Sequence, residues 1–294
     1  MSASRPLRRL VVTADDFGAS LEVNDAVEAA HRNGILTAAS LMVAGTSAAD
    51  AVARARRMPS LRVGLHLVLV EGRPVLPPAA VSHLVDADGA FRSDMAALGT
   101  LIACSAEARR ELAAEITAQF EAFQATGLPL DHCNAHKHFH LHPVIGGLLM
   151  RIGAHFGLRA TRVPLEPADV LRRLEPESPR APGLLMAPWA ALLRRRVRAA
   201  GLIAADRVFG LQWSGRMTTG RLSGLIRALP EGLSEIYLHP ATGPYAGSAP
   251  DYLYREELAA LLSSEAAAAC RDAAVQLGGF QDSAAPGLHT RTAP

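Results

Sequence analysis

Short runs rich in Val, Leu, Ile and Ala alternate with longer runs of helical period along nearly all of the 294 residues. "RLVVTADD" (9–16) precedes "LEVNDAVEAAHRNG" (21–34), and "AASLMVAG" (38–45) precedes "AADAVARARRM" (48–58). "RVGLHLVL" (62–69) leads through a loop rich in Pro and Gly (71–92) to the amphipathic stretch "AEARRELAAEITAQFEAFQATG" (106–127). A histidine-rich strand follows, then "VIGGLLMRIGAHFG" (144–157), "RATRVP" (159–164), "DRVFGLQWSG" (206–215), "GRLSGLIRALP" (220–230), "SEIYLHPA" (234–241) and "REELAALLSSEAAAACRDAAVQLG" (255–278). Alternation of this kind is the pattern of parallel strands joined by crossover helices. About seven such units in ~280 residues predict an α/β fold, an irregular (β/α) barrel of TIM-like type, rather than two domains. Residues 1–280 are read as one barrel domain, with an insertion-like segment at about 166–204 and a disordered tail over 281–294.

Composition narrows the partners. A hydrophobic content of 49% supplies a large core, which excludes a disordered chain. A net charge of +2 is too balanced for a nucleic-acid binder. Cys104, Cys133 and Cys270 are odd in number and widely spaced, so no disulfide framework or zinc knuckle is expected. That suits a reducing cytoplasm. The N-terminal "MSASRPLRRLVV" runs into Asp15 with no apolar signal core, and no segment reaches the ~18–20 uncharged apolar residues of a spanning helix.

In a (β/α) barrel, reacting groups gather at the C-terminal ends of the strands. The polar residues fall there: Asp15 and Asp16 end the first strand, His66 is late in the third, and "HCNAHKHFHLHP" (132–143) forms or ends the fourth. Arg162 and Glu166 flank the end of the fifth, and His239 ends the penultimate one. Two adjacent carboxylates at the end of a buried strand repel each other and lose water, a cost that a divalent cation removes. A helix cap with a spare acid is the plainer reading of the same dipeptide. His66 alone in an apolar strand reads either as a hydrogen-bonded core histidine or as a metal ligand.

The stretch 132–143 holds five of the eleven histidines. With strand period, His136, His138, His140 and His142 would share one face, first and last ~20 Å apart at ~3.3 Å per residue. Zinc–nitrogen bonds of ~2.0–2.1 Å allow only one or two of them to serve one ion. Spacing does not say which. His239, before a Pro-Ala-Thr-Gly turn, reads equally as a general acid or as a structural cap. Asp, His and His make a site suited to one divalent ion, Zn²⁺ preferred, with Mg²⁺, Mn²⁺, Co²⁺ or Ni²⁺ open. No GxSxG, Walker loop or strand-borne GxGxxG supports serine, nucleotide or dinucleotide chemistry.

"TADDFG", "GLHL", "NAHKHFHLHP" and "EIYLHPA", in this order, resemble the YdjC-like (ChbG-like) carbohydrate deacetylases over roughly residues 8–280. The resemblance implies an irregular barrel that removes acetyl groups from N-acetylated sugars with a divalent metal. It implies Asp16, His66 and His136 as ligands, Asp15 as general base and His239 as acid or transition-state stabiliser. Arg162 stands in an Arg-x-Pro segment near the pocket, and His138, His140 and Glu166 are taken with it as substrate contacts. The fourth-strand motif, usually Asp-Ser-His, reads Asn134-Ala135-His136 here, and Asn can hydrogen-bond a ligand but carries no charge. "FGLQWSGRMT" with "EIYLHPAT" further resembles the branch associated with hopanoid biosynthesis, implying an N-acetylglucosaminyl lipid as substrate.

"APGLLMAPWAALLRRRVRAAGL" (181–202) sets an apolar run bearing Trp189 beside four arginines within 194–198. That pattern suits a membrane-surface element, or a barrel helix with a solvated Arg face. The expected location is cytoplasmic, with possible peripheral contact at the inner membrane. A soluble chito-oligosaccharide substrate, another metal-dependent amidohydrolase and a non-catalytic sugar- or lipid-binding barrel remain as alternatives.

Overall fold

The computed structural model describes residues 7–176 and 183–283. The strands are β1 (Arg8–Phe17), β2 (Ala38–Leu41), β3 (Arg62–Leu67), β4 (Cys133–Ala135), β5 (Arg207–Phe209), β6 (Gly232–Leu238) and β7 (Val275–Leu277). They form one sheet in the order β4-β3-β2-β1-β6-β5, every pairing parallel. β7 pairs with β1 at Arg8–Leu10, while β2 joins β1 only from Thr13 onward. Helices cover the sheet: α1 (Leu21–Asn33), α2 (Ala48–Arg56), α3 (Met95–Cys104), α4 (Ala106–Ala125), α5 (Pro143–His155), α6 (Ala168–Leu174), α7 (Gly183–Ala199), α8 (Thr219–Arg227), α9 (Tyr254–Leu262) and α10 (Ser264–Asp272). This is the expected α/β barrel architecture, with strands buried as near-continuous apolar runs.

Local chemistry sets the boundaries. Ser20 caps α1 by accepting the Val23 N–H, and Asp94 caps α3 by accepting from Ala96 and Ala97. The stretch 255–278 is not one helix. Ser263 leaves the helical region after Leu262 and caps a second helix through Ala266 N–H, and the chain re-enters the sheet as β7.

Two expected strands differ. The segment 159–164 makes only isolated bridges, Ala160 to Ile203 and Thr161 to Cys133. Pro164 and Pro167 have no N–H to give a ladder, and the Leu165 N–H turns back to Val163 O. The segment still spans the gap between β4 and β5, where Val208 N–H donates to Leu165 O at 3.0 Å.

The histidine run leaves strand geometry after Ala135. His136–Leu141 form a 3₁₀ turn in which Lys137 (φ 52°) and His138 (φ 55°) are left-handed. The turn delivers the chain to Pro143, first residue of α5. His136, His138, His140 and His142 therefore do not share one face.

Within the insertion-like segment, α7 packs Ala190, Leu193 and Val197 against Leu141 and Val163, while residues 177–182 lie outside the described residues. Of the expected disordered tail, 281–283 form a 3₁₀ turn and 284–294 lie outside the described residues. Among the described residues no helix is long and apolar enough to cross a membrane.

Candidate metal centre and pocket

β1 carries an extra residue opposite β2. Ala14 pairs with Ala39 and Phe17 with Leu41, so three steps on β1 match two on β2. The bulge places Asp16 in the left-handed region (φ 63°). A strand would point Asp15 and Asp16 to opposite faces; the bulge turns both toward the mouth of the barrel.

Asp16 Oδ1 lies 3.2 Å from His66 Nε2 and 3.2 Å from His136 Nδ1, and the two ring nitrogens are 3.4 Å apart. Asp16 Oδ1 is sealed from solvent and makes no hydrogen bond. Bonds of ~2.0–2.1 Å at tetrahedral angles put ligand atoms ~3.4 Å apart, the spacing found here. The donor set and the orphaned oxygen fit a divalent cation held by Asp16, His66 and His136. Burial raises the Asp16 carboxyl pKa, but the two histidines outweigh it and hold it well below its ordinary value. Burial lowers the His66 pKa, and Asp15 and Asp16 reverse this to a net rise.

Asp15 is held differently. Arg162 grips it with two bonds, Nη1 to Oδ2 at 2.5 Å and Nη2 to Oδ1 at 3.0 Å, and the Asn134 amide donates to Oδ1 at 2.9 Å. Arg162 is fully buried, also bonds Glu235 Oε1 at 2.7 and 3.0 Å, and lies 4.3 Å above the Tyr237 ring. Burial pushes the Asp15 carboxyl up, yet Arg162 prevails and keeps it well below the carboxylate range. Asn134 Oδ1 accepts from His66 Nδ1 at 2.7 Å, so one side chain ties the neighbouring carboxylate to a candidate ligand.

A cavity of about 570 Å³ opens above these groups, lined by Asp15, Asp16, His66, His136, His138 and His239, with Tyr245, Tyr252 and Tyr254 along one wall. His239 follows β6, and its backbone N–H is fixed by Glu257 Oε2 at 2.5 Å. Its Nδ1 is sealed without a partner, and burial lowers the ring's pKa. His138 Nε2 lies 2.9 Å from the Tyr237 hydroxyl, and burial, then Arg162, keeps the ring well below its ordinary pKa.

The other expected substrate contacts do not line this cavity. Arg162 is spent on the two carboxylates. Glu166 accepts the backbone N–H groups of Gly210, Leu211 and Gln212 at 2.8–3.1 Å, holding the turn after β5. His140 donates to Arg162 O at 2.9 Å inside the wall, and burial depresses its pKa to about 4. Glu235, Tyr237 and Glu257 were given no role from the sequence, although the first two lie within "EIYLHPA"; a charged residue inside the apolar "SEIYL" was the one further mark of Glu235.

A carbohydrate deacetylase of Brevibacillus brevis is 39% identical over 157 residues, 53% of this chain and 58% of that protein. The chain thus spans less than two thirds of that relative's length. The human carbohydrate deacetylase is 32% identical over 260 residues, 81% of this chain and 76% of that one. A solved structure from Enterococcus faecalis, described as a candidate cellobiose-phosphate cleavage protein, superposes with a TM-score of 0.73 at 20% identity, over 94% of this chain and 98% of that one. At that identity the likeness is one of fold. The sequence profile of the YdjC-like protein matches residues 9–272, a span that contains both carboxylates of the bulge, both histidine donors and His239, and the chain belongs to the YdjC-like family.

Proposed function

We propose that the chain is a metal-dependent carbohydrate N-deacetylase, which hydrolyses the acetamide of an N-acetylated sugar to acetate and the free amine. The observation that carries this reading is the Asp16–His66–His136 donor triangle at the barrel mouth with Asp15 beside it. The Brevibacillus and human relatives are named carbohydrate deacetylases, which supports the substrate class. A divalent cation on the three donors, zinc by preference, would supply a Lewis acid and an acidified water.

The chain's own residues do the rest. Asp15 receives the proton of the attacking water. Arg162 and Asn134 hold Asp15 as an ionised carboxylate, so it is free to accept that proton. His239, neutral through burial, stands on the cavity wall, where its ring takes up that proton from Asp15 and hands it to the leaving sugar nitrogen. The tyrosine wall and His138 bound the space for the sugar ring. Arg162 orients Asp15 from behind instead of touching substrate.

The sugar is further read as carried on a polycyclic lipid of hopanoid type. A second, mostly apolar groove of about 690 Å³ adjoins the cavity and shares His138, Leu141 and Met186 with it. Phe139, Val144 and Trp189 line it, and Trp189 is 47% exposed. Peripheral membrane contact through α7, which carries Trp189 and the arginine cluster, fits the same reading.

The test is acetate release from two N-acetylglucosaminyl substrates, one soluble and one lipid-linked, with and without chelator. Chelator-sensitive release from the lipid-linked form supports the full reading. Release from the soluble form alone removes the lipid. No release from either removes the deacetylase. Asp15→Asn is expected to bind metal and lose turnover; near-normal turnover would reassign the base.

A further inference from the structure

Below the site, a file of buried polar side chains crosses the barrel interior toward the opposite end of the strands. Asn134 Nδ2 donates to Ser40 Oγ at 3.0 Å, Ser40 Oγ lies 3.0 Å from His132 Nε2, and His132 Nδ1 lies 3.0 Å from Asp131 Oδ2. Asp131 is anchored by the backbone N–H groups of Phe280 at 3.2 Å and Gln281 at 3.3 Å. Ser40, His132 and Asn134 are completely buried and Asp131 nearly so. Room for His132 is built into β3: a Cβ on Gly64 would sit 2.6 Å from its ring.

Serine, histidine and aspartate in this order resemble a hydrolytic triad, yet Ser40 is completely buried and lines neither the site cavity nor the groove beside it. Its lone pair is already engaged by Asn134. The file needs another purpose, and its bond directions supply one.

Asp131 is a carboxylate and only accepts, so His132 Nδ1 carries a hydrogen and donates. His132 Nε2 is then an acceptor, and Ser40 must spend its one hydroxyl hydrogen there. Ser40 therefore faces Asn134 as an acceptor, and Asn134 must show it an N–H. The amide's other N–H meets Asp15 Oδ1, and its oxygen is left for His66. His66 then carries its hydrogen on Nδ1 and presents the Nε2 lone pair to Asp16 and His136. Without His132, the Ser40 hydroxyl could donate or accept with equal ease and would leave Asp15 alone to select the orientation of the amide.

We propose that Ser40, His132 and Asp131 are positioning residues that act through Asn134: together with Asp15 they fix its amide orientation, and so the His66 tautomer that aims Nε2 at the donor triangle. This rests on the reading that Asp16, His66 and His136 hold a cation, and zinc titration of the unaltered protein tests that separately. Loss of the partners that orient a metal-binding histidine typically weakens metal binding by ~10–100-fold.

The experiment pairs zinc affinity by calorimetry with the ¹⁵N signals of His66 in metal-free protein in alkaline buffer, where the imidazole is neutral. Ser40→Ala removes one oxygen with little change of volume. It is expected to weaken zinc at least ~10-fold and to add an Nε2–H population to His66. His132→Phe should do the same, whereas His132→Gln, which keeps an acceptor for Ser40, should stay near the unaltered affinity. Zinc affinity within twofold of normal in Ser40→Ala, with His66 still wholly Nδ1–H, overturns the proposal. So does equal damage from His132→Gln and His132→Phe while Ser40→Ala is silent. If His132→Phe does not fold, Ser40→Ala decides alone.

Discussion

Replacing Arg162 with Met keeps most of its volume and strips one charge from between two buried carboxylates. Asp15 and Glu235 would then face each other's side of a dry site, since the arginine supplies two bonds to each. Breaking a buried pair by removing one partner costs ~3–5 kcal/mol, and with two carboxylates stranded the upper end applies near neutral pH. Arg162 is fully buried, so solvent screening does not reduce the figure.

The pH dependence has a definite sign. Asp15 titrates in the folded protein below its unfolded value of ~3.9. Its contribution to stability is therefore complete above that value and is lost as pH falls toward the folded pKa. In Arg162→Met the push from burial remains and the largest opposing influence is gone, so Asp15 takes up a proton at higher pH. The stability difference between the two proteins is thus greatest near neutrality and shrinks toward pH ~4, by up to ~1.4 kcal/mol for each unit of altered pKa. Urea unfolding of both proteins, metal-free, at neutral and mildly acid pH measures it. A loss below ~1 kcal/mol, or one equal at both pH values, would refute the reasoning. Glu235→Gln placed on Arg162→Met should recover part of the loss, with a coupling of at least ~1 kcal/mol in the double-mutant cycle.

Zinc at a hundredfold excess over its Kd should add ~2.7 kcal/mol to unfolding stability, and Asp16→Asn should abolish the gain; an undiminished gain removes Asp16 from the donor set. Glu257 accepts the N–H groups of Met217 and His239, and burial pushes its carboxyl up to about 8. A folded pKa above the unfolded ~4.3 means stability declines as pH rises from there to about 8, and Glu257→Gln should flatten that slope while costing ~1–3 kcal/mol for one lost backbone partner. An unchanged slope in urea titrations would clear Glu257 of the effect. Trp189→Ala should raise KM roughly tenfold for a lipid-linked substrate and leave the soluble sugar unaffected; parallel changes in both would separate the groove from lipid binding.

The barrel and its mouth were legible because strand ends announce themselves: an apolar run stopped by Asp15–Asp16, or His66 standing alone in "GLHL". Proximity in space was not. Arg162 looked like a substrate contact because nothing in "RATRVP" shows that Asp15 and Glu235 close on it from two other strands. The period-two reading of the histidines failed at a helix start, where Pro143 required a turn that alternation cannot express. His132 lies in the same run yet faces Ser40 and Asp131, a role written in hydrogen-bond direction and not in spacing.

The donor triangle also joins distant parts of the chain. His66 and His136 are 70 residues apart, with the loop 71–92, exposed over its first half, between them, while Asp16 and His66 both precede that loop. A cut in the loop would leave two donors on one fragment and the third on the other. For the intact chain a bound cation closes loops that the sheet has already closed. For the cut chain the same ion would become the fastener between two pieces, and their reassembly would follow zinc concentration.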